Sequence, residues 1–224
     1  MKNLITLLLA FVSVAASSQT KIYDVKSGKI SYRYEINEDT DMNYTIVFDN
    51  YGKNQAVTVE SRVGDESEKM KTIITPENMY MINYADKQVM IMPVNVDDDE
   101  MNQMYMQDSE DFSLIGLADD IEKSGASVIG NETILNKPCK IYKFNDDEVK
   151  GKFWIYKDYV LKAEFMEADG SHYFIEVTDF KLNTPVNSLE FEIPQNFTKT
   201  DMSKTIEQIK QMQQMYGIPD DDNE

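Results

Sequence analysis

A chain of 224 residues with 42% hydrophobic, 11% aromatic and 28% charged side chains can bury one good-sized core, and its composition is neither disordered, collagen-like nor membrane-spanning. Lys and Arg total 22 against 40 Asp and Glu, a formal net charge of -18; this excludes nucleic acid as a partner and disfavours an anionic membrane surface, leaving peripheral membrane contact or none. One Cys and one His exclude an intramolecular disulfide and a Cys/His zinc cluster, and leave only His172 for any His-dependent triad. The expectation is a binding protein without catalysis, metal or cofactor.

Residues 1–18 read as an export signal. Lys2 supplies the positive start, residues 4–14 are apolar apart from Thr6 and Ser13, and Ala16, Ser17 and Ser18 offer small side chains for cleavage. The apolar run is about half the ~20 residues a membrane-spanning helix needs. No cysteine follows it to receive a lipid, so the expected location is periplasmic or secreted. In that setting the lone Cys139 is expected as a small core residue.

Strand signals then dominate. Ile30, Tyr32, Tyr34 and Ile36 alternate with Ser31, Arg33 and Glu35, which puts an apolar row on one face of a strand. Tyr44, Ile46 and Phe48 form a second row, 49–52 a turn, and Val57 and Val59 a third row. Further strands are expected over 71–75, 79–84 and 88–92, with turns at 75–78 and 85–87. Residues 97–123 break the pattern with an acidic start, the methionine-rich stretch 101–106 and an apolar patch of Phe112, Leu114, Ile115 and Leu117, and read as a helical insertion. Strands resume over 139–144, 152–156, 160–167, 171–180 and 189–193, with Asp169 and Gly170 as a hairpin turn, for ten or eleven strands in all. Residues 200–217 carry an amphipathic helix with Asp201 as its cap and Gly217 and Pro219 at its end, and 218–224 form an acidic disordered tail. One domain over 19–199 is the simplest organisation.

Two stretches carry a family resemblance. Gly130, Glu132, Cys139 and Tyr142, followed by Trp154, Ile155 and Leu161, form the first; Phe180, Leu182, Asn183 and Val186 through Phe191, Ile193, Pro194 and Phe197 form the second. Together they resemble the LolA/LolB-like superfamily of periplasmic lipoprotein carriers, and within it the uncharacterised exported Bacteroidetes-type branch. Asn136 stands where that pattern often has Gly. The resemblance implies an α+β fold, mainly β: a strongly curved, incompletely closed antiparallel half-barrel with a helical lid over an apolar cavity. It also implies a hydrophobic ligand or a lipoprotein client.

The expected inward row is Ile30, Tyr32, Tyr34, Tyr44, Ile46, Phe48, Val57, Val59, Tyr80, Ile82, Ile155, Phe165, Tyr173 and Ile175, with Phe112, Leu114, Ile115 and Leu117 as the lid. Its tyrosines join apolar rings to polar hydroxyls and suit a ligand of mixed character; the same side chains could equally fill the interior as core. A ligand-holding monomer and a protein-interaction module of the cell envelope with a filled core both remain open. A third reading is Cu(I) binding through Met101, Met104 and Met106, since thioethers suit soft metals, against the plainer reading of methionines as an adaptable apolar surface.

Overall fold

The computed structural model describes residues 23–37, 40–63, 66–94, 121, 126–145, 149–204 and 208. Their strands are β1 (Gly28–Ile36), β2 (Thr40–Asp49), β3 (Asn54–Val63), β4 (Glu66–Ile74), β5 (Asn78–Asn83), β6 (Gln88–Pro93), β7 (Ser127–Ile134), β8 (Lys137–Asn145), β9 (Val149–Tyr156), β10 (Tyr159–Glu167), β11 (His172–Leu182) and β12 (Thr198–Asp201). They form one open, curved sheet in the order β12-β6-β5-β4-β3-β2-β1-β11-β10-β9-β8-β7. Two meanders, β1 to β6 and β7 to β11, meet where β1 pairs with β11, and every pairing is antiparallel except that of β12 with β6.

The turns have the chemistry their backbones require. Asp169 and Gly170 join β10 to β11, with Gly170 at φ 88° and its amide on the Glu167 carbonyl (3.0 Å). Leu135 and Asn136 both take positive φ, 46° and 59°, between β7 and β8, the signature of a type I′ hairpin. Asn tolerates the left-handed region better than other residues with a Cβ, which accounts for Asn136 at a position where glycine is the usual solution. Thr75 closes the β4–β5 turn by accepting the Asn78 amide on its Oγ1 (3.0 Å).

Register divides the apolar residues between two faces, because successive side chains of a strand point to opposite sides. On one face, here called the tyrosine face, Tyr32 pairs with Tyr44 and Tyr44 with Val59, while Ile30, Ile46 and Val57 align in the next row. These join Tyr142, Phe153, Ile155, Val160, Leu161, Ala163, Phe165, Ile175 and Val177 of β8 to β11 in the larger of two core clusters. On the other face Val47, Ala56, Ile73, Ile82 and Val89 form the second cluster, covered by Val186, Phe191, Ile193 and Phe197.

That cover is the chain's return path. After β11 the segment 183–197 crosses the second face as a strap, held at its start by Ser27 Oγ donating to the Thr184 carbonyl (2.8 Å) and by the Asn183 amide on the Ser27 carbonyl (2.7 Å). Residues 189–193, expected as a strand, are instead a 3-10 helix, Ser188–Phe191, followed by extended chain. Its start is capped by Asn187 Oδ1 accepting the Leu189 amide (3.1 Å). Of the apolar alternation that suggested a strand, Phe191 and Ile193 pack onto the face beneath, while Leu189 stays exposed at 60%. Thr200 and Asp201, expected in the C-terminal helix, end β12; Asp201 Oδ1 then accepts the Ser203 amide (2.9 Å), and Ser203 and Lys204 are helical. The rest of 205–217, apart from helical Gln208, lies outside the described residues, as do the signal 1–18 and the tail 218–224.

Candidate functional site

The tyrosine face places most of the expected row together. Tyr32, Tyr34, Tyr44, Ile46, Phe48, Val57 and Val59 are buried on β1 to β3, and Ile155, Phe165 and Ile175 on β9 to β11, with Tyr173 half-buried beside them. Tyr80 and Ile82 do not belong with them. Tyr80 pairs with Ile73 and Ile91, and Ile82 with Lys71 and Val89, which puts both on the strap face. The misplacement has a physical source: β5 reads Met79, Tyr80, Met81, Ile82 and is apolar on both faces, so alternation alone gives no direction. The expected lid residues Phe112, Leu114, Ile115 and Leu117 lie outside the described residues, and so do Met101, Met104 and Met106. Of the insertion 97–123 only Ile121 is described; it is helical and buried in the tyrosine-face cluster.

Tyrosines give this face its polar element. Tyr32 and Tyr34 on β1, Tyr44 on β2, Tyr159 at the start of β10 and Tyr23 before β1 gather at its centre, with Tyr142, Tyr156 and Tyr173 also in the cluster. The Tyr32 and Tyr44 rings lie 6.4 Å apart and those of Tyr34 and Tyr44 6.1 Å apart, the latter edge to face. Tyr23 packs on Phe48 at 4.5 Å and donates its hydroxyl to Oε1 of the buried Gln55 (2.8 Å). The Tyr32 ring is fully buried and its hydroxyl finds no hydrogen-bond partner among the described residues.

Burial is the main cause of the electrostatics here. It raises the pKa of Tyr23, Tyr32, Tyr34 and Tyr44 well above the ordinary tyrosine value, and the mutual repulsion of their would-be phenolates raises it further. Tyr159 is pushed up to about 12 by burial, with Asp158 and Asp24 adding to it. At any physiological pH the face therefore presents neutral hydroxyls, each able to donate and accept.

Around this cluster the lining is aromatic. Phe165 stacks between Tyr173 (4.7 Å, 8° between planes) and Phe153 (5.8 Å, 21°). Tyr159 meets Phe180 edge to face at 5.3 Å. Sequence reasoning missed Tyr23, Tyr159, Gln55, Tyr142 and Phe153 as parts of this face. Tyr159 and the fully buried pair Val160 and Leu161 sit at a bulge where β10 shifts register against β9, so the alternation that would reveal them is interrupted.

Beyond β3 the same face changes character. Val59 pairs with Met70; the next rows run Val57, Thr72, Met81, Met90 and Gln55, Ile74, Met79, Met92. Met92 is buried, Met70, Met79 and Met81 are half-buried, and Met90 is exposed at 38%.

Other chemistry is sparse. Cys139 is buried, its thiol donating to the Lys137 carbonyl (3.4 Å), and burial raises its pKa, which keeps it the unreactive thiol. His172 is exposed at the start of β11. Among the described residues no three His, Cys, Asp or Glu side chains gather to hold a metal, and no helix is long and apolar enough to cross a membrane. On the second face Trp154 donates its Nε1–H to Glu132 Oε2 (2.5 Å), and the Lys162 ammonium lies 4.6 Å over its ring while pairing with Glu164 (2.8 Å).

No family model matches the chain, and no curated protein does. Among solved structures it is similar to an uncharacterized conserved protein from Thermus thermophilus, at 11% identity and a TM-score of 0.49, over 80% of this chain and 91% of that one. It is similar also to MucB in complex with MucA(peri), at 9% identity and a TM-score of 0.43, over 77% of this chain and 56% of that one. A third similar structure is PNGF-II, at 9% identity and a TM-score of 0.32, over 82% of this chain and only 33% of that one.

Proposed function

We propose that this is an exported LolA-like protein that holds a hydrophobic or amphipathic ligand on the tyrosine face of its sheet and performs no chemistry on it. The observation that carries this reading is the Tyr32 hydroxyl, fully buried and without a partner among the described residues. A buried hydroxyl left unsatisfied costs about 1–3 kcal/mol, and native proteins keep such groups where something supplies the missing hydrogen bond. The hydroxyl sits in an apolar wall continuous with half-buried methionines, a combination that suits a greasy body bearing one polar group. The signal-like residues 1–18 and the resemblance in 130–142 and 179–197 support export and the superfamily.

The test is Tyr32→Phe in the mature protein, with an environment-sensitive apolar dye as the probe. The wild type should bind the dye, and a lipid carboxylate should displace it. The variant should bind the carboxylate more weakly by roughly tenfold, the value of one lost hydrogen bond to a charged group, and should be as stable as wild type or about 1 kcal/mol more so when empty. A wild type that takes up no dye, or a variant with unchanged displacement, contradicts the reading.

A second reading is a protein-interaction module, favoured by the edge strand β7. It ends the sheet opposite β12 and carries Val128 and Ile129 exposed at 55% and 49%, the kind of unpaired edge to which another chain can add a strand.

A further inference from the structure

The methionines of β5 and β6 form a two-by-two array. Met79 pairs directly with Met92 and Met81 with Met90, so all four lie on one face. Directly opposed residues have Cα atoms ~4.5–5.5 Å apart, and residues two apart along a strand are separated by roughly 6.7 Å. Met70 of β4 lies on the same face, in the row of Asn83.

Strand formation does not explain this choice. On the opposite face the same three strands carry Ile73, Tyr80, Ile82, Val89 and Ile91 and no methionine, the β-branched and aromatic residues that strands favour. Sulfur is thus segregated to one side, although the apolar demand of a sheet would be met as well by Ile or Val on both. Filling a core does not explain it either, since only Met92 of the four is buried and Met90 is exposed at 38% among the described residues.

We propose that Met79, Met81, Met90 and Met92 form a thioether site for a soft monovalent cation, Cu(I) or Ag(I). Thioether sulfur is a soft, uncharged ligand, and the three rotatable bonds of each methionine let four sulfurs converge above the centre of the array. The absence of His, Cys, Asp or Glu from these four positions makes the site selective: harder divalent ions find no oxygen, nitrogen or thiolate in the array. Because no ligand has to lose a proton, affinity should not vary with pH, unlike sites built on His or Cys. No electron is transferred; the cation enters and leaves in the same oxidation state.

The experiment uses the mature full-length chain with 13C-methyl-labelled methionine and Ag+ as a redox-inert probe, the methyl resonances being assigned by single Met→Leu variants. Methyls of Met79, Met81, Met90 and Met92 should shift together as one Ag+ per chain is added, equally at about pH 5 and pH 8, and Zn2+ should leave them unmoved. The double variant M81L/M90L, a volume-conserving change whose fold is verified by its other methyl resonances, should lose the Ag+ response of Met79 and Met92 as well. If these four methyls do not respond to Ag+ while those of Met101, Met104 or Met106 do, the site is elsewhere and the proposal fails. It fails also if Met79 and Met92 respond with unchanged affinity in the double variant, or if Zn2+ produces the same shifts. Met79 and Met81 also border the ligand wall proposed above, so the titration uses chain freed of bound amphiphile; its readouts need no dye or lipid, and failure of one reading is distinguishable from failure of the other.

Discussion

At the scale of single residues, tyrosine hydroxyls decide how this protein responds to alkali. Tyr23, Tyr32, Tyr34, Tyr44 and Tyr159 hold their protons more tightly in the folded chain than in the unfolded one, chiefly because burial opposes the phenolate. A tyrosine in the unfolded chain ionises near pH ~10. Their contribution is therefore fully present below pH ~10 and is lost as the pH rises towards the folded values, by up to ~1.4 kcal/mol per pH unit for each group. Tyr159 completes its part near about 12, and the others beyond it. Stability measured by urea unfolding should be insensitive to these groups between about pH 6 and 9 and fall steeply above ~10. The near-ultraviolet signal of their ionisation should appear only as circular dichroism reports loss of the sheet. Phenolate absorbance developing smoothly near pH ~10 for every tyrosine, with the sheet intact, would refute the burial. These residues were legible as an apolar row, because Tyr32, Tyr34 and Tyr44 alternate with polar neighbours. Their convergence with Tyr159 depends on β1 pairing with β11 and β11 with β10, and that with Tyr23 on its docking against Tyr51 and Gln55; neither could be read from local spacing.

At the scale of elements, the strap 183–197 explains how one of the sheet's two apolar faces stays covered. Phe191, Ile193 and Phe197 lie over Val47, Ala56, Ile73, Ile82 and Val89, and Phe197 meets Tyr84 edge to face at 5.5 Å. Lys71, almost entirely buried on this face, has its ammonium 3.8 Å from Glu190 of the strap. Burial lowers its pKa, with Glu190 opposing that shift. Phe197→Ala should cost about 2 kcal/mol, below the ~3–5 of a fully buried phenylalanine because the ring is only partly covered. Hydrogen exchange should show faster opening of β12, whose Thr198 amide is held by the Lys87 carbonyl (2.9 Å), before that of β1 to β3. Equal acceleration in both regions would mean that the strap opens only with the whole sheet. Most strands were visible from alternation; β7 and β12 were not. In β7 only Ile134 is buried, and all of β12 is exposed, so neither carries the one-sided apolar pattern that marks a strand. The strap read as a strand because its apolar residues alternate, though they face the sheet from outside rather than from within it.

At the scale of the whole molecule, one open sheet, antiparallel except where β12 joins β6, presents a strap-covered face on one side and the tyrosine face on the other. The curved, mainly β architecture was accessible from the succession of short alternating segments and tight turns. The division of faces was not accessible for β5 and β6, where both sides are apolar and only cross-strand register assigns Tyr80 and Ile82 to one and Met79 and Met81 to the other. The central claim is that the tyrosine face exists to be occupied, and native mass spectrometry of the chain purified without detergent from the cells that naturally produce it tests it most directly. A discrete added mass that dissociates as an amphiphile, and whose occupancy drops in Tyr32→Phe, is the predicted result. A chain that flies at its bare sequence mass from wild type and variant alike would contradict the account.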